Sequence, residues 1–360
     1  MAQPLHSEGS EVLPNLADMD DSAEILEYKA SPSLGRLAEV LTCVADQVVP
    51  SFSEADRQVG RYKATYMNLA NCAAWLGASA VLFAIIQLSE SSTIDYFPRA
   101  FLPWLEFSLA ASAVIVAVFG LGGRAQQKWF VARHRAEQLR RLKYDFLTRP
   151  GVWSQDEKTA ANSRQALAAE VEAIMATSFS GLEFWVTRGT LPKAIEAPPL
   201  SELEWHELRI YYERKRLKDQ IVYFRNASEN NVTRNDKTRL WPSVLFFGSI
   251  AFVLVHFCIE LVKWRTGGNS DTSVGKATLI LAATLPVCGA GIRVIRGVLE
   301  YGRNASRYES THNVLLELSE RLRLAADPAT AFREIGFCEQ ALEAEHREWV
   351  RLLVEAEWFG

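Results

Sequence analysis

The chain has 360 residues, with 39 Lys and Arg against 43 Asp and Glu, which gives a net charge of −4. This balance excludes a protein whose whole surface binds nucleic acid, and an apolar content of 49% excludes a wholly disordered chain. At about 150 residues per domain, the length predicts about two or three structural units. The mean hydropathy of −0.03 suits a soluble protein, but the apolar residues are concentrated in a few runs.

Four apolar runs cover residues 67–88, 101–123, 240–262 and 277–298. A helix that rises 1.5 Å per residue needs ~20 apolar residues to cross a hydrocarbon core of ~30 Å. The first and third runs lack the polar stripe that a soluble amphipathic helix shows. The second contains Glu106, and the fourth is the weakest because it is free of charge only up to Arg293. We predict an all-α integral membrane protein with four transmembrane helices in two hairpins.

Lys and Arg are concentrated before the first and third runs and after the second and fourth. The positive-inside rule therefore predicts cytoplasmic N- and C-termini and two short external loops. The link between the third and fourth runs is a partial exception, because it contains Lys263, Arg265 and Lys276. Residues 1–28 hold seven acids and neither Lys nor Arg, unlike the basic start of a signal peptide.

Each half of the chain has the same layout: a charged helix, two apolar runs joined by a short link, and a further charged helix. This layout predicts an internal duplication. We expect an acidic flexible tail at residues 1–30, a first two-span helical module at 31–190, a linker at 191–204 and a second module at 205–360. No alternating strand pattern occurs, so the charged segments are predicted to be long cytosolic helices.

The sequence offers little material for catalysis. The six histidines and five cysteines are scattered, without the CxxC or HExxH spacing of a metal site. We therefore expect no metal, no cofactor and no enzymatic activity. The expected partners are the lipid bilayer and further copies of the chain, and no nucleic acid.

Polar residues inside or beside the apolar runs are candidates for function. Glu106 and Glu260 are predicted to lie near the external ends of their spans, where a carboxylate costs ~2.5–3.5 kcal/mol unless it meets water or a partner. One interpretation is that they reach the interface, toward Arg99 or Lys263. The other is that oligomerisation gathers them into an acidic ring at a cation-conducting mouth. The candidate pore-lining residues are Glu106, Ser108, Ser112, His256 and Glu260.

Pro286, Gly289 and Gly291 interrupt the fourth run near its middle. They predict either a gating kink or a fixed bend. Basic residues on the flanking helices form a second group of candidates, which bind an anionic nucleotide or anchor the chain to anionic lipid. This group consists of Arg57, Arg61, Arg133, Arg140, Arg214 and Arg216.

Three segments carry a resemblance to a known family. Tyr211, Lys215 or Arg216, Gln220, Tyr223-Phe224 and Ala227 form the pattern Tyr-x-x-x-Arg-x-x-x-x-Gln-x-x-Tyr-Phe-x-x-Ala. This pattern resembles the helix that enters SLATT domains, which are prokaryotic two-transmembrane effector modules found beside nucleotide second-messenger systems. Residues 134–143 and 339–349 are similar to the helix after the paired spans and to the closing segment of that family. The first half of the chain lacks a clear counterpart of Gln220.

The resemblance implies a tandem pair of modules over about 50–150 and about 205–355. It further implies an oligomeric effector of the bacterial inner membrane that depolarises the cell in anti-phage defence after a nucleotide-type signal. The competing hypothesis is a non-conducting membrane scaffold whose cytosolic helices recruit a protein partner. A transporter is disfavoured because the spans have few polar residues at their midplane.

Overall fold

The computed structural model describes residues 18–89, 101–121, 125–188, 197–266 and 273–355. All regular secondary structure in these ranges is helical, which confirms the predicted all-α class. In the first half the helices are α1 Ser22–Lys29, α2 Gly35–Gln47, α3 Val49–Ser89, α4 Phe101–Ile115, α5 Ala125–Leu147, α6 Glu157–Met175 and α7 Phe179–Arg188. Short 3₁₀ turns occur at Pro32–Leu34 and Pro150–Trp153, and a π-helical segment at Val116–Leu121 follows α4.

The second half contains α8 Glu202–Tyr212, α9 Lys218–Thr266, α10 Ser273–Leu299, α11 Tyr301–Arg323 and α12 Pro328–Glu355. Ser201 starts α8 with a capping box: its hydroxyl oxygen accepts from the Glu204 amide, and the Glu204 carboxylate accepts from the Ser201 amide. A π-helical segment at Glu213–Leu217 joins α8 to α9. Glu300, with a left-handed φ of 43°, separates α10 from α11.

The chain divides into two compact units. The first, here called the charged unit, comprises the described residues of Met1–Tyr62, Gln127–Ser228 and Ser306–Gly360. The second, the apolar unit, comprises those of Lys63–Gln126 and Glu229–Ala305. Both halves of the sequence contribute to each unit. The tandem modules at 31–190 and 205–360 were predicted from a duplication in the sequence, not from compact packing. They stay a prediction.

In the charged unit, α2 shows how the sequence pattern produces a core. Leu37, Leu41, Val44 and Val48 recur at spacings of three and four, which places them on one helix face. All four are fully buried. This apolar face packs α2 against α1 and α6.

In the apolar unit and the segments leading into it, three helices are long and apolar enough to cross a membrane: Val49–Gln87, Glu202–Thr266 and Val274–Arg293. The second predicted run yields a shorter apolar helix, Pro103–Val118. The fourth run, the weakest by sequence, meets the criterion because its helix already begins before the run, at Ser273. The chain thus has the helices of a membrane protein, while a total of four spans stays a prediction.

The structure differs from the predicted flexible tail over residues 18–30. Residues 1–17 lie outside the described part, but Asp18 and Asp21 are buried and α1 follows them directly. The reason is electrostatic: these acids find basic partners inside the charged unit, as described below. The first part of the linker predicted at 191–204 also lies outside the described residues. The end of the predicted linker is helical, because α8 begins at Glu202 with Ser201 as its N-cap.

Candidate functional site

The three segments that carry the family resemblance meet in the charged unit. They belong to α5, to the end of α8 with the π-helical segment and the beginning of α9 that follow it, and to α12. Together they surround a polar cavity of about 30 Å³, which is room for about one water molecule. We call it the motif cavity. Its principal polar lining residues are Arg133, Glu137, Arg141, Arg216, Gln220, Glu339, Glu343, Glu345 and His346.

Arg216 and Glu339 form the central ion pair of the motif cavity. Two guanidinium nitrogens of Arg216 donate to the two carboxylate oxygens of Glu339 at 3.0 and 3.2 Å. The Tyr212 hydroxyl donates to the same carboxylate at 2.9 Å. Burial acts to lower the Arg216 pKa, but the Glu339 carboxylate outweighs it and holds this pKa above its ordinary value. Arg216 is therefore a buried, fully charged group.

The π-helical segment Glu213–Leu217 directs three consecutive basic residues to carboxylates. Arg214 and Lys215 lie 3.2 and 3.0 Å from Glu24 of α1, whereas Arg216 pairs with Glu339 of α12. Successive residues of a helix point about 100° apart, so one partner helix cannot serve all three. Such π-helical turns are rare and often occur at functional sites. Here the turn lies between two acidic helices.

A second set of buried pairs joins α5 to the acidic segment before α1. Arg140 Nε lies 2.7 Å from Asp18, and its Nη1 lies 2.8 Å from Glu137. Lys143 Nζ lies 2.8 Å from Asp21, whose other oxygen accepts from Tyr211 at 2.7 Å. With Glu24, these two aspartates supply three buried carboxylates to the basic residues of the charged unit.

These contacts control ionisation in the charged unit. Burial alone would raise the pKa of the Glu137 carboxyl, but the Arg140 guanidinium outweighs it and lowers this pKa to about 2. Burial acts to lower the Arg140 pKa, and the Glu137 and Asp18 carboxylates raise it above its usual range. Both groups are ionised at neutral pH. Removing Arg140 would leave Asp18 and Glu137 without their cation, whereas removing Glu137 would leave Arg140 paired with Asp18.

Two histidines contact each other beside the motif cavity. His134 Nδ1 lies 3.2 Å from His346 Nε2, so one ring donates and the other accepts. Burial, then the nearby Arg135, lowers the pKa of His134 to about 4. Burial, then His134, lowers the pKa of His346 well below its ordinary value. Both rings are therefore neutral at pH 7, and Trp185 and Trp349 enclose them.

The six arginines predicted to bind an anion have different environments. Arg140, Arg214 and Arg216 are paired with carboxylates, and Arg133 lies 4.0 Å over the Trp349 ring. Arg57 pairs with Glu54 on the exposed side of α3, and Arg61 is also exposed there. A nucleotide-sized ligand needs a cavity of ~300 Å³ or more. In this conformation Arg140, Arg214 and Arg216 are neutralised by carboxylates of the charged unit itself.

In the apolar unit, α9 and α10 contact each other at regular intervals of seven residues. His256 Nδ1 lies 3.0 Å from the Gly275 carbonyl, and the Ser249 hydroxyl donates to the Ala282 carbonyl at 2.6 Å. A Cβ added to Gly289 would lie 3.5 Å from the carbonyl oxygen of Pro242. Small residues permit such close approach, and the repeat of seven is that of an antiparallel coiled coil. The sequence spacing of Gly275, Ala282 and Gly289 already contains this repeat, but it was not predicted.

Four of the predicted pore-lining residues, Glu106, Ser108, His256 and Glu260, have partners within the apolar unit. The Gln87 amide donates to Glu106 at 2.9 Å, and Lys263 lies 2.7 Å from Glu260 on the same helix. The Ser108 hydroxyl donates to the Trp104 carbonyl one turn earlier, and Ser112 is half-buried on α4. The Glu260–Lys263 pair fits the interpretation in which Glu260 reaches the membrane interface toward Lys263. The acidic ring stays a prediction.

The three residues predicted to form a kink lie in one continuous helix. α10 passes through Pro286 without a break. Gly289 faces Pro242 of α9, whereas Gly291 has no neighbouring atom within 4 Å of an added Cβ among the described residues. The contact at Gly289 gives it a packing role, and gating by this segment stays a prediction.

Comparison with known proteins gives one result of limited extent. The family described as "Protein of unknown function (DUF4231)" matches residues 36–161, a stretch that includes α2 to α5. The chain is similar to this uncharacterised family over that stretch. Comparisons with curated proteins and with solved structures found no match. By its fold, the described part of the chain belongs to the class of all-helical proteins with helices suited to span a membrane.

Proposed function

We propose that this protein is an oligomeric effector of the bacterial inner membrane, with SLATT-like modules, four spans and cytoplasmic termini. It acts as a gated pore or ion channel that depolarises the membrane in anti-phage defence after a nucleotide-type signal. The observation that carries the proposal is the meeting of three SLATT-like segments around the motif cavity. It occurs in a chain whose other unit consists of apolar helices suited to a bilayer.

The charged unit supplies the sensor in this proposal. Arg140 and Arg216 are held by Asp18 and Glu339, the same kind of contact that a phosphate would make. An anionic signal that competes for these guanidinium groups would stabilise a second packing and shift the population toward it. α3 and α9 carry residues of both units, so each offers a continuous helical path for the change.

The apolar unit supplies the pore. In an oligomer, Glu106 and Glu260 from several copies would form acidic rings that attract cations. The Gln87 and Lys263 contacts hold these carboxylates in place within one copy. Ser108, Ser112 and His256 would add polar groups along the path, and Pro286 with Gly291 would allow α10 to bend.

The second candidate is the membrane scaffold, and the size of the motif cavity favours it. A space of about 30 Å³ with its arginines already paired suits a structural core as well as a sensor. The charged unit would then present an exposed helical surface to a protein partner. The two candidates differ in whether any rearrangement makes the membrane permeable.

A release variant separates the candidates without requiring the signal. Glu339→Gln frees Arg216 from its carboxylate, so an effector should depolarise the membrane when this variant is expressed in bacteria with a potential-sensitive dye. Glu317→Gln, a change of the same type at an exposed residue of α11, is the matched control and should leave the potential unchanged. Depolarisation confined to Glu339→Gln supports the effector. An unchanged potential with full membrane insertion contradicts it and favours the scaffold.

The pore assignment is tested on the same background. Adding Glu106→Gln and Glu260→Gln to the release variant should reduce the preference for cations over anions in planar bilayers. Equal ion selectivity with and without the two carboxylates would contradict the acidic ring.

A further inference from the structure

An open groove lies in the apolar unit where α10 ends and α11 begins. Its volume is about 400 Å³, and every lining residue belongs to this unit. Three arginines, a tyrosine, an asparagine and one glutamate form most of its wall. They are Arg293, Arg296, Arg303, Tyr301, Asn235 and Glu300. We call it the basic groove, and none of its residues was among the anion-binding candidates of the sequence analysis.

The charge of the basic groove is not neutralised by the groove itself. Glu300 lies 3.5 Å from Arg303 and offsets one of the three positive charges. Within the described part of the chain, Arg293 and Arg296 have no carboxylate partner. The C-terminus of α10 and the N-terminus of α11 meet at this junction, so their helix dipoles offset each other and the positive charge comes from the arginine side chains. The groove therefore differs from the motif cavity, where the arginines are paired with acids.

The backbone around the basic groove is shaped by two residues. Glu300 adopts a left-handed φ of 43°, which turns the chain between α10 and α11. At Gly302 an added Cβ would lie 3.2 Å from the Asn235 side-chain oxygen, so glycine lets the first turn of α11 approach α9 closely. This close approach sets Tyr301 against α9, where the Arg234 guanidinium lies 6.0 Å from its ring. The groove is thus a built feature of the helix junction.

The position of the basic groove along the chain indicates the kind of anion. The apolar segment Val274–Arg293 ends at the first arginine of the groove, and Arg296 follows one turn later, about 4.5 Å further along the helix. For a helix that spans the bilayer, as in the proposed function, the lipid phosphates lie at this depth, just beyond the hydrocarbon. We propose that the basic groove binds the phosphate headgroup of an anionic phospholipid. A soluble phosphate shares this chemistry, and the experiment distinguishes the two sources.

The test measures thermal unfolding of the detergent-solubilised full chain by tryptophan fluorescence. Phosphatidylglycerol, phosphatidylcholine and inorganic phosphate are added in parallel, because a ligand that binds only the folded state raises Tm. Wild type should gain several degrees more with phosphatidylglycerol than with the other two. Arg293→Gln combined with Arg296→Gln should lose this difference. Arg239→Gln combined with Arg265→Gln removes two exposed arginines of the same unit outside the groove, and should keep it.

A variant with the opposite expected effect guards against misfolding. Glu300→Asn removes the only carboxylate among the groove residues and suits the left-handed backbone, so its shift with phosphatidylglycerol should exceed that of wild type. The proposal is overturned if the groove variant keeps the wild-type shift, or if the control variant loses as much. An equal shift with inorganic phosphate would assign the groove to a soluble anion instead. None of these outcomes depends on whether the protein conducts ions.

Discussion

The two units of this protein expose opposite kinds of residue. In the charged unit, Arg140 and Lys143 are among the most completely buried side chains. In the apolar unit, Trp264 is 82% exposed and Phe247 is 68% exposed. In water, large apolar side chains are usually inside and charges outside. The exposed apolar side chains are what three helices long and apolar enough to cross a membrane would present to lipid, whereas the charged unit buries charges in pairs.

The contacts inside each unit follow from this difference. α9 and α10 approach closely at Gly275, Ala282 and Gly289. In a bilayer, where lipid is as apolar as the helices themselves, their pairing would depend on this close approach. The charged unit instead combines an apolar face such as that of α2 with ion pairs inside the core. Substitutions that exchange the two kinds of contact test the comparison directly.

The largest effect is expected from breaking a buried ion pair. Arg140→Met leaves Asp18 and Glu137 without their cation and should cost about 3–5 kcal/mol of unfolding free energy. Arg57→Met removes an exposed pair with Glu54 and should cost about 0.5 kcal/mol or less. Denaturant unfolding of the full chain in detergent measures both. Similar values for the two variants would contradict the structural role of the buried pair.

An exposed leucine should have different importance in the two units. Leu254 of α9 is 59% exposed and Leu26 of α1 is 73% exposed, so a water-soluble protein would tolerate aspartate at either. If α9 faces lipid, Leu254→Asp costs about 3 kcal/mol of insertion free energy. We expect less of this variant in the alkali-resistant membrane fraction, while Leu26→Asp stays at the wild-type level. Equal recovery of both would argue against α9 as a span.

The neutral histidine pair predicts a loss of stability on mild acidification. The His134 pKa is lowered from 6.5 to about 4, so the folded state resists protonation that the unfolded state accepts. The stabilisation is complete above pH 6.5 and declines as the pH falls toward 4. Between about pH 7 and about pH 5 the loss from this one residue is about 2 kcal/mol.

His134→Phe should reduce this dependence on pH by that amount, as measured by unfolding at each pH. His206→Asn, at an exposed position of α8, is the control and should keep the wild-type dependence. A slope unchanged by His134→Phe would show that the ring is not held neutral.

The sequence was sufficient to predict where these helices lie, but not which residues of other helices their side chains pair with. The apolar runs and the spacing of Leu37, Leu41 and Val44 predict α2, α3 and α9, because burial and periodicity are local properties. The pairing of Asp18 with Arg140 joins residues more than a hundred positions apart, and composition alone made the acidic segment look unstructured. Arg216 was predicted to be functional, but its neutralisation by Glu339 depends on how α12 packs.

The smallest expected effect concerns the turn between α10 and α11. Glu300 has φ 43°, a conformation that costs an ordinary residue about 1–2 kcal/mol and costs glycine almost nothing. Glu300→Gly should therefore stabilise the protein by about 1 kcal/mol after the greater entropy of an unfolded glycine is counted. Glu300→Ala removes the same carboxylate but keeps the backbone strain, so the difference in unfolding free energy between the two variants isolates the conformational term. If the glycine variant were no more stable than the alanine variant, strain at this junction would be ruled out. The shape of the basic groove would then depend on the Gly302 contact alone.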